Sequence, residues 1–388
     1  LYLDIGLPHR GTIQMVDILK HAYALIREHR VVLSEFSVTS NLPSQMNGGK
    51  DFCEWSRKDK ELAANIGKMV SLVLGNNGKG LVSLALAESF LEKGMDSYEV
   101  VSLAEKGMIQ AESVGKTEQR FVAVWLLGQL SLLRGHAEDA LERLSGFEKT
   151  AMQKSPRLLE NIRALKCWLF MYQGRMKEVM DWMKEAPDEH QEFWSMERLR
   201  YLVKARAYLL NGRYEQAVGL LEKLLYYADR MGRTYVRMEA KLLLAIALYH
   251  MGWGDWEKNM QECIAEAESY HFVRVISREG GAALRLLRAG EFAWTDRKYK
   301  KQVLEECQRM ADFYPAYLKK HEEGNVALAP NALKILRLQA DGCSTEQIAS
   351  QLGITKNTIK YHNKETYKKL GVTNKAAAIH EARNRGLL

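Results

Sequence analysis

Residues 211–232 read NGRYEQAVGLLEKLLYYADRMG. Tyr214, Ala217, Val218, Leu221, Leu224, Leu225 and Ala228 recur at three- and four-residue spacing, the interval that gathers side chains on one face of an α-helix. Gly212, just ahead of them, punctuates the preceding helical pattern as a left-handed C-terminal cap would. The same junction returns along the chain. Gly94, Gly135, Gly174, Gly212, Gly252 and Gly290 each follow an apolar helical run, at intervals of 41, 39, 38, 40 and 38 residues. A period of that length is too long for one helix and fits two helices with two turns, which is how a stacked helical repeat is written in sequence. With six prolines in 388 residues and little alternating β-branched pattern, the expected fold is all-α, a helical-repeat solenoid over 58–322.

The flanks of that body differ from it. Residues 1–57 contain one helical stretch, TIQMVDILKHAYALIREH, and then SNLPSQMNGGKDFCEWS, whose Pro and paired Gly predict a loop or insertion. The chain opens LYLDIGLPHRG without an initiator Met, as expected of a processed or truncated chain. KKHEEGN at 319–325 reads as a short linker, and 323–388 as a separate module. That module holds most of the excess charge: ten Lys and Arg face four acids over 328–388, a net +6 out of the chain's +8. A basic module on a nearly neutral body is the electrostatic footprint of nucleic-acid binding.

Composition narrows the remaining classes. Apolar residues make up 47% and charged residues 27%, values of an ordinary globular chain, and no run approaches the ~20 apolar residues of a membrane span. Cys53, Cys167, Cys263, Cys307 and Cys343 are scattered without a C-x-x-C pair, which argues against a zinc site or a disulfide framework and for a reduced, cytoplasmic protein. GNNGKGLVS at 75–83 lacks the spacing and the Ser/Thr of a phosphate-binding loop and reads as a turn between helices. No nucleophile elbow, zinc-protease or dinucleotide motif is present, so no enzyme activity and no cofactor are expected. A solenoid usually binds something on its concave side. The tryptophans, all within the body, are expected mainly as repeat core. Arg274 and Arg278, at i and i+4 within HFVRVISREGG, are candidates for gripping an anionic ligand, with pairing to Glu279 and neighbouring acids on a wet face as the alternative.

The terminal module divides into four short helices. Pro330 suits a first helical position, and Leu333, Leu336 and Ala340 precede a stop at Gly342. Ser344 and Gln347 form a capping box ahead of TEQIASQL. Gly353 ends that helix, and Thr355 caps the next at once. Two short helices joined by a three- or four-residue turn are a helix-turn-helix, whose second member enters the major groove. Asn374 is the expected cap of a fourth helix. Lysines at 356, 360, 364 and 368 form an i, i+4 row, each neighbouring pair repelling by roughly 0.2–0.5 kcal/mol. Lys356 also stands in a first turn, where the helix dipole favours anions. A polyanion beside the row, which extends about 18 Å along the helix, offsets both penalties by counterion release.

The stretch LAPNALKILRLQADGCSTEQIASQLGITKNTIKYHNKETYKKLGVTNKAAAI resembles the LuxR/GerE family of bacterial DNA-binding domains, most tellingly in IASQLGI, TIKYH and KKLGV. That resemblance implies double-stranded DNA as partner, with Lys360, Tyr361 and Lys364 at base edges and Lys356, Asn357, Thr358 and Lys368 at phosphates. It implies a dimer contact on the KAAAIHEA face, and a packing role for His362. Ala329 and Ala332 depart from the family's capping residues, and Thr366 stands where an apolar residue is usual. GRYEQA and GHAEDA resemble the turns of tetratricopeptide (TPR) repeats, though with a longer unit. A TPR-like body followed by a LuxR-type domain resembles the large MalT-like regulators, without their nucleotide-switch module. The function implied is a transcriptional regulator whose repeat body senses a small-molecule inducer or a partner protein, with RNA polymerase as a possible further partner. The alternatives are a protein-interaction scaffold and the C-terminal fragment of a nucleotide-switch regulator.

Overall fold

The computed structural model describes residues 51–319 and 330–384, apart from 96, 115, 116, 191, 192, 194–196, 253, 371 and 373, together with isolated positions between 17 and 28. Among the described residues all regular structure is helical. The chain divides into two compact units, Leu1–Lys320 and His321–Leu388.

The first unit is built from helix pairs. After α1 (Cys53–Ser56) and α2 (Asp59–Leu74), they run α3/α4 (Leu81–Glu92, Tyr98–Ser113), α5/α6 (Thr117–Leu133, Ala137–Lys154) and α7/α8 (Leu159–Tyr172, Met176–Met183). Then follow α9/α10 (Arg198–Leu210, Tyr214–Met231) and α11/α12 (Thr234–Met251, Trp256–Tyr270). A short α13 (Arg274–Ser277) precedes the last pair, α14/α15 (Gly280–Ala289, Arg297–Phe313). The repeating glycines lie inside the pairs. Gly212 has φ +69°, the left-handed conformation that lets the α9 pattern stop and α10 fold back. Gly290 breaks the series, with extended backbone at φ −115° and ψ 165°. GNNGKG forms a 3₁₀ turn at Gly75–Gly78 leading into α3, as the failed phosphate-loop match predicted.

The two members of each pair face different surroundings, and their sequences say why. Helix α10 buries Ala217, Leu220, Leu221, Leu224, Tyr227 and Ala228 and leaves its other face wet, the pattern of an outer amphipathic helix. Helices α5, α9 and α11 are buried nearly all round, which requires cover on both sides. Part of that cover is the chain's own C-terminal portion. Val273 N–H donates to Glu92 O at 2.7 Å, and Tyr314 Oη donates to Leu132 O at 2.8 Å. Trp168 Nε1 donates to Tyr317 Oη at 2.8 Å, and the Tyr172 and Tyr317 rings stack at 3.8 Å. The inner face expected to stay open as a binding surface is therefore filled over these helices by 272–279 and 314–318.

The loop expected over SNLPSQMNGGKDFCEWS is replaced, in its last residues, by α1, and these residues belong to the core. Phe52 is 1% exposed and packs against Tyr235 and Phe272, ring centroids 5.3 Å away in both cases. Asp51 accepts from the N–H groups of Cys53 and Tyr235, capping helices 184 residues apart. Six of the tryptophans are described: Trp55, Trp125, Trp168 and Trp182 are buried, while Trp256 and Trp294 pack partly buried against the core. Trp194, Trp253 and the linker beyond Lys319 lie outside the described residues, as does most of the N-terminal segment, of which 17, 20, 21, 23–25 and 27 are helical.

Candidate nucleic-acid interface

The second unit comprises α16 (Pro330–Ala340), α17 (Thr345–Leu352), α18 (Lys356–Leu370) and α19 (Lys375–Asn384). Three isoleucines, Ile335, Ile348 and Ile359, at most 1% exposed, join the first three helices. Leu336, Leu370, Ala378 and Ala382 tie α16 and α18 to α19. The helix ends follow from local chemistry. Gln347 N–H donates to Ser344 Oγ at 3.3 Å, and Ser344 N–H donates to Gln347 Oε1 at 2.7 Å, a complete capping box. Gly353 closes α17 at φ +63°. Thr355 Oγ1 accepts from Thr358 N–H at 3.2 Å, and Asn374 Oδ1 accepts from Ala377 N–H at 2.8 Å. Ser344→Ala removes one half of the box and is expected to destabilise the second unit by about 0.5–2 kcal/mol. Thermal unfolding followed at 222 nm would check this, and a melting profile unchanged from the parent would contradict it.

Helix α18 then turns one face inward and one outward. Ile359, Thr366 and Leu370 are buried, with His362, Asn363 and Tyr367 partly so. Asn363 Oδ1 accepts from the nearly buried Gln339 Nε2 at 3.1 Å, a polar tie between α16 and α18. Lys356, Asn357, Lys360, Tyr361, Lys364 and Lys368 are exposed, and Thr358 is partly so. Tyr361 stands out at 64% exposure, a large ring presented mostly to water. His362 sits half-buried beside it, rings 5.9 Å apart. Ala332 is buried at 6% exposure and adds to the core where the resemblance leads one to expect a capping acid. Ala329 lies outside the described residues.

The lysine row is less uniform than its spacing suggests. Lys356 Nζ lies 2.6 Å from Glu346 Oε1, both side chains more than half exposed. Glu346 belongs to the first turn of α17, and the hydrogen bond from Lys356 holds its carboxyl below the usual range. The dipole penalty at the start of α18 is therefore offset within the protein. The signal for this pair was ten residues away in sequence, across a turn, where helix spacing says nothing. Among the described residues no carboxylate pairs with Lys360, Lys364 or Lys368.

Arg274 and Arg278 are placed quite differently from the wet face expected. Arg274 is fully buried, pairs with Glu306 and donates from Nη2 to Gly94 O at 3.0 Å. Arg278 is 3% exposed, pairs with Glu92 and donates from Nη1 to Tyr235 Oη at 2.8 Å. Glu279 pairs with neither of them but with Arg206. Arg274 thus ties α13 to α15 and to the turn after α3, and Arg278, just past α13, ties the chain to α3 and α11. Burial pushes the thiols of Cys167, Cys263 and Cys307 well up, away from the thiolate that nucleophiles and metals need. Among the described residues no group of three or more His, Cys, Asp or Glu could hold a metal ion, and no helix is long and apolar enough to cross a membrane.

Comparison with known proteins agrees with this division. Residues 101–291 match the family model of the MalT-like TPR region, and residues 327–382 match that of the bacterial regulatory proteins of the luxR family. The HTH-type transcriptional regulator AlkS of Alcanivorax borkumensis is 23% identical over an alignment of 363 positions that covers 85% of this chain and 40% of that protein. The chain thus spans less than half the length of that relative. No solved structure matches. The body is thus a MalT-like TPR region, and the terminal unit a LuxR-type helix-turn-helix.

Proposed function

We propose that this chain, a MalT-like TPR region carrying a LuxR-type helix-turn-helix, is a cytoplasmic transcriptional regulator that binds double-stranded DNA through α18 and is controlled by its repeat body. The observation that carries the reading is the exposed set Lys360, Tyr361, Lys364 and Lys368 on a helix whose opposite face is locked into a core. A helix held that way presents a fixed face to the major groove. Lys360, Tyr361 and Lys364, one turn into the helix and exposed together, are assigned to base edges. Lys356, Asn357, Thr358 and Lys368, nearer its two ends, are assigned to phosphates. Pairing through α19 would match the two halves of a palindromic site. The repeat body takes the sensing role, answering to an inducer or to a partner protein, and RNA polymerase is the natural recipient of the output. We assign no catalysis and no cofactor to the chain.

Fluorescence anisotropy of the whole chain on a random-sequence duplex, titrated from low to physiological salt, tests this directly. Affinity should fall with salt at a slope of about −0.9 per phosphate neutralised. Absence of binding even at low salt would overturn the DNA reading and favour a scaffold whose work lies in the repeats.

A further inference from the structure

With the inner face of the repeats occupied by the chain itself, a small ligand has to enter elsewhere. A groove of about 240 Å³ opens where α4, α5 and α6 meet, spanning two successive repeats. Its floor is apolar: Met108, Val124, Leu127 and Phe147. Its polar lining is Arg120, Arg143 and Thr150, with no carboxylate among the lining residues.

Three features distinguish this groove from a gap between helices. Arg120 holds its guanidinium near the Phe147 ring, 5.9 Å from the centroid, and reaches Glu112 at 3.2 Å through Nη2. Its Nε is buried without a hydrogen-bond partner, as is that of Arg200 elsewhere in the body. Arg143 is exposed and has no ion pair among the described residues. The third feature is Gly146, which lines the groove from the middle of the 18-residue α6. Glycine is the poorest helix former short of proline, so an interior glycine usually answers a packing need. Gly107 has such a need, since a Cβ there would stand 2.6 Å from Leu84. At Gly146 a Cβ would meet nothing within 4 Å. Gly146 is exposed and, as at Gly219 in α10, the space beside it is open, so a larger side chain at this lining position would stand over the groove without a clash.

We propose that this groove is a binding site for a small organic anion, a carboxylate or phosphate ester with an apolar body of about ten non-hydrogen atoms. The size follows from its volume, which is that of about eight waters at ~30 Å³ each and below the range of drug-sized pockets. The two guanidiniums and the Thr150 hydroxyl take the charged head, and the apolar floor takes the body. A ligand seated there touches three consecutive helices and so fixes one repeat against the next. The proposal rests on reading the repeat body as the sensing part, but its test needs no DNA.

Calorimetric titration of the whole chain with benzoate, hexanoate and phenyl phosphate, against benzamide, hexanamide and inorganic phosphate, decides it. One or more of the organic anions should bind saturably, and Arg143→Gln should weaken that binding roughly tenfold or more. Gly146→Leu should abolish it while melting no lower than the parent, since it fills the groove and favours the helix. Carboxylate and phosphate ester are separated by which of them binds. No saturable binding of any organic anion at about millimolar concentration would overturn the site. So would binding that survives Gly146→Leu. Amides binding equally well would overturn the anion class, and inorganic phosphate binding equally well would overturn the apolar half of the assignment. Loss of DNA binding in the separate anisotropy assay would bear on the regulator reading alone.

Discussion

Replacing Arg206 by methionine is expected to destabilise the repeat body by about 3–5 kcal/mol, the usual penalty for removing one partner of a buried ion pair. Arg206 is 1% exposed in the middle of α9. Its Nε donates to Glu279 Oε1 at 3.0 Å and its Nη2 to both Glu279 and Glu239, while Nη1 reaches Leu202 O at 3.2 Å. The guanidinium lies 4.2 Å above the Trp168 ring. Glu279 Oε2 accepts from Tyr317 Oη at 3.1 Å, and Tyr317 Oη in turn accepts from Trp168 Nε1. One arginine thus connects α7, α9 and α11 with the two C-terminal segments that fill the inner face. Methionine matches the stem but leaves Glu279, 0% exposed, with a single neutral donor.

The two carboxylates around Arg206 should respond unequally. Glu279 engages with both oxygens, to Arg206 and to Tyr317. Glu239 engages through Oε1, while Oε2 is buried without a partner, and burial pushes its carboxyl up toward the neutral form. Glu279→Gln therefore strands part of Arg206's charge and should approach the Arg206→Met loss. Glu239→Gln exchanges a poorly solvated carboxyl for a neutral amide and should stay within the ~1.5 kcal/mol of one net hydrogen bond. Urea unfolding of the three variants against the parent checks the order. Equal losses from the two glutamate variants would show that the network shares its charge evenly, contrary to the geometry.

This network also marks what the amino-acid pattern could and could not tell. The glycine interval and the α10 periodicity are local signals, and they led to the helix pairs. The caps at Ser344, Thr355 and Asn374 are also local, each settled within three residues, and each is found where its sequence places it. Arg278 and Glu92 are 186 residues apart, and Arg206 and Glu279 are 73 apart. Nothing in a repeat period says that the last pair and its flanks return to the first. For the same reason Arg274 and Arg278 read as a surface pair: i, i+4 spacing fixes a shared helix face but is silent on whether water or another helix meets it. Phe52 and Asp51 were obscured by the Pro and Gly just before them, which announce a loop but not where it ends.

The other large effect concerns DNA. Lys360→Ala and Lys364→Ala should each remove about 1–3 kcal/mol of preference for the specific site over random duplex, about tenfold to a hundredfold, with little change in the random-sequence affinity. Lys368→Ala should instead weaken every duplex alike and reduce the salt slope by about 0.9. The structure adds an asymmetry that even spacing along the helix does not suggest. Lys356 is already paired with Glu346 at 2.6 Å, so part of its charge is screened before DNA arrives. An exposed pair of that kind is worth only about 0–1 kcal/mol, and Lys356→Ala should weaken binding less than Lys368→Ala does. Glu346→Gln frees that lysine and should raise random-duplex affinity at low salt, an effect that fades as salt screens the row. Anisotropy on one specific and one scrambled duplex, at two salt concentrations, separates these outcomes. If Lys360→Ala and Lys368→Ala lost affinity equally on both duplexes, the split between base and phosphate roles would fail, and the row would act as one undivided field.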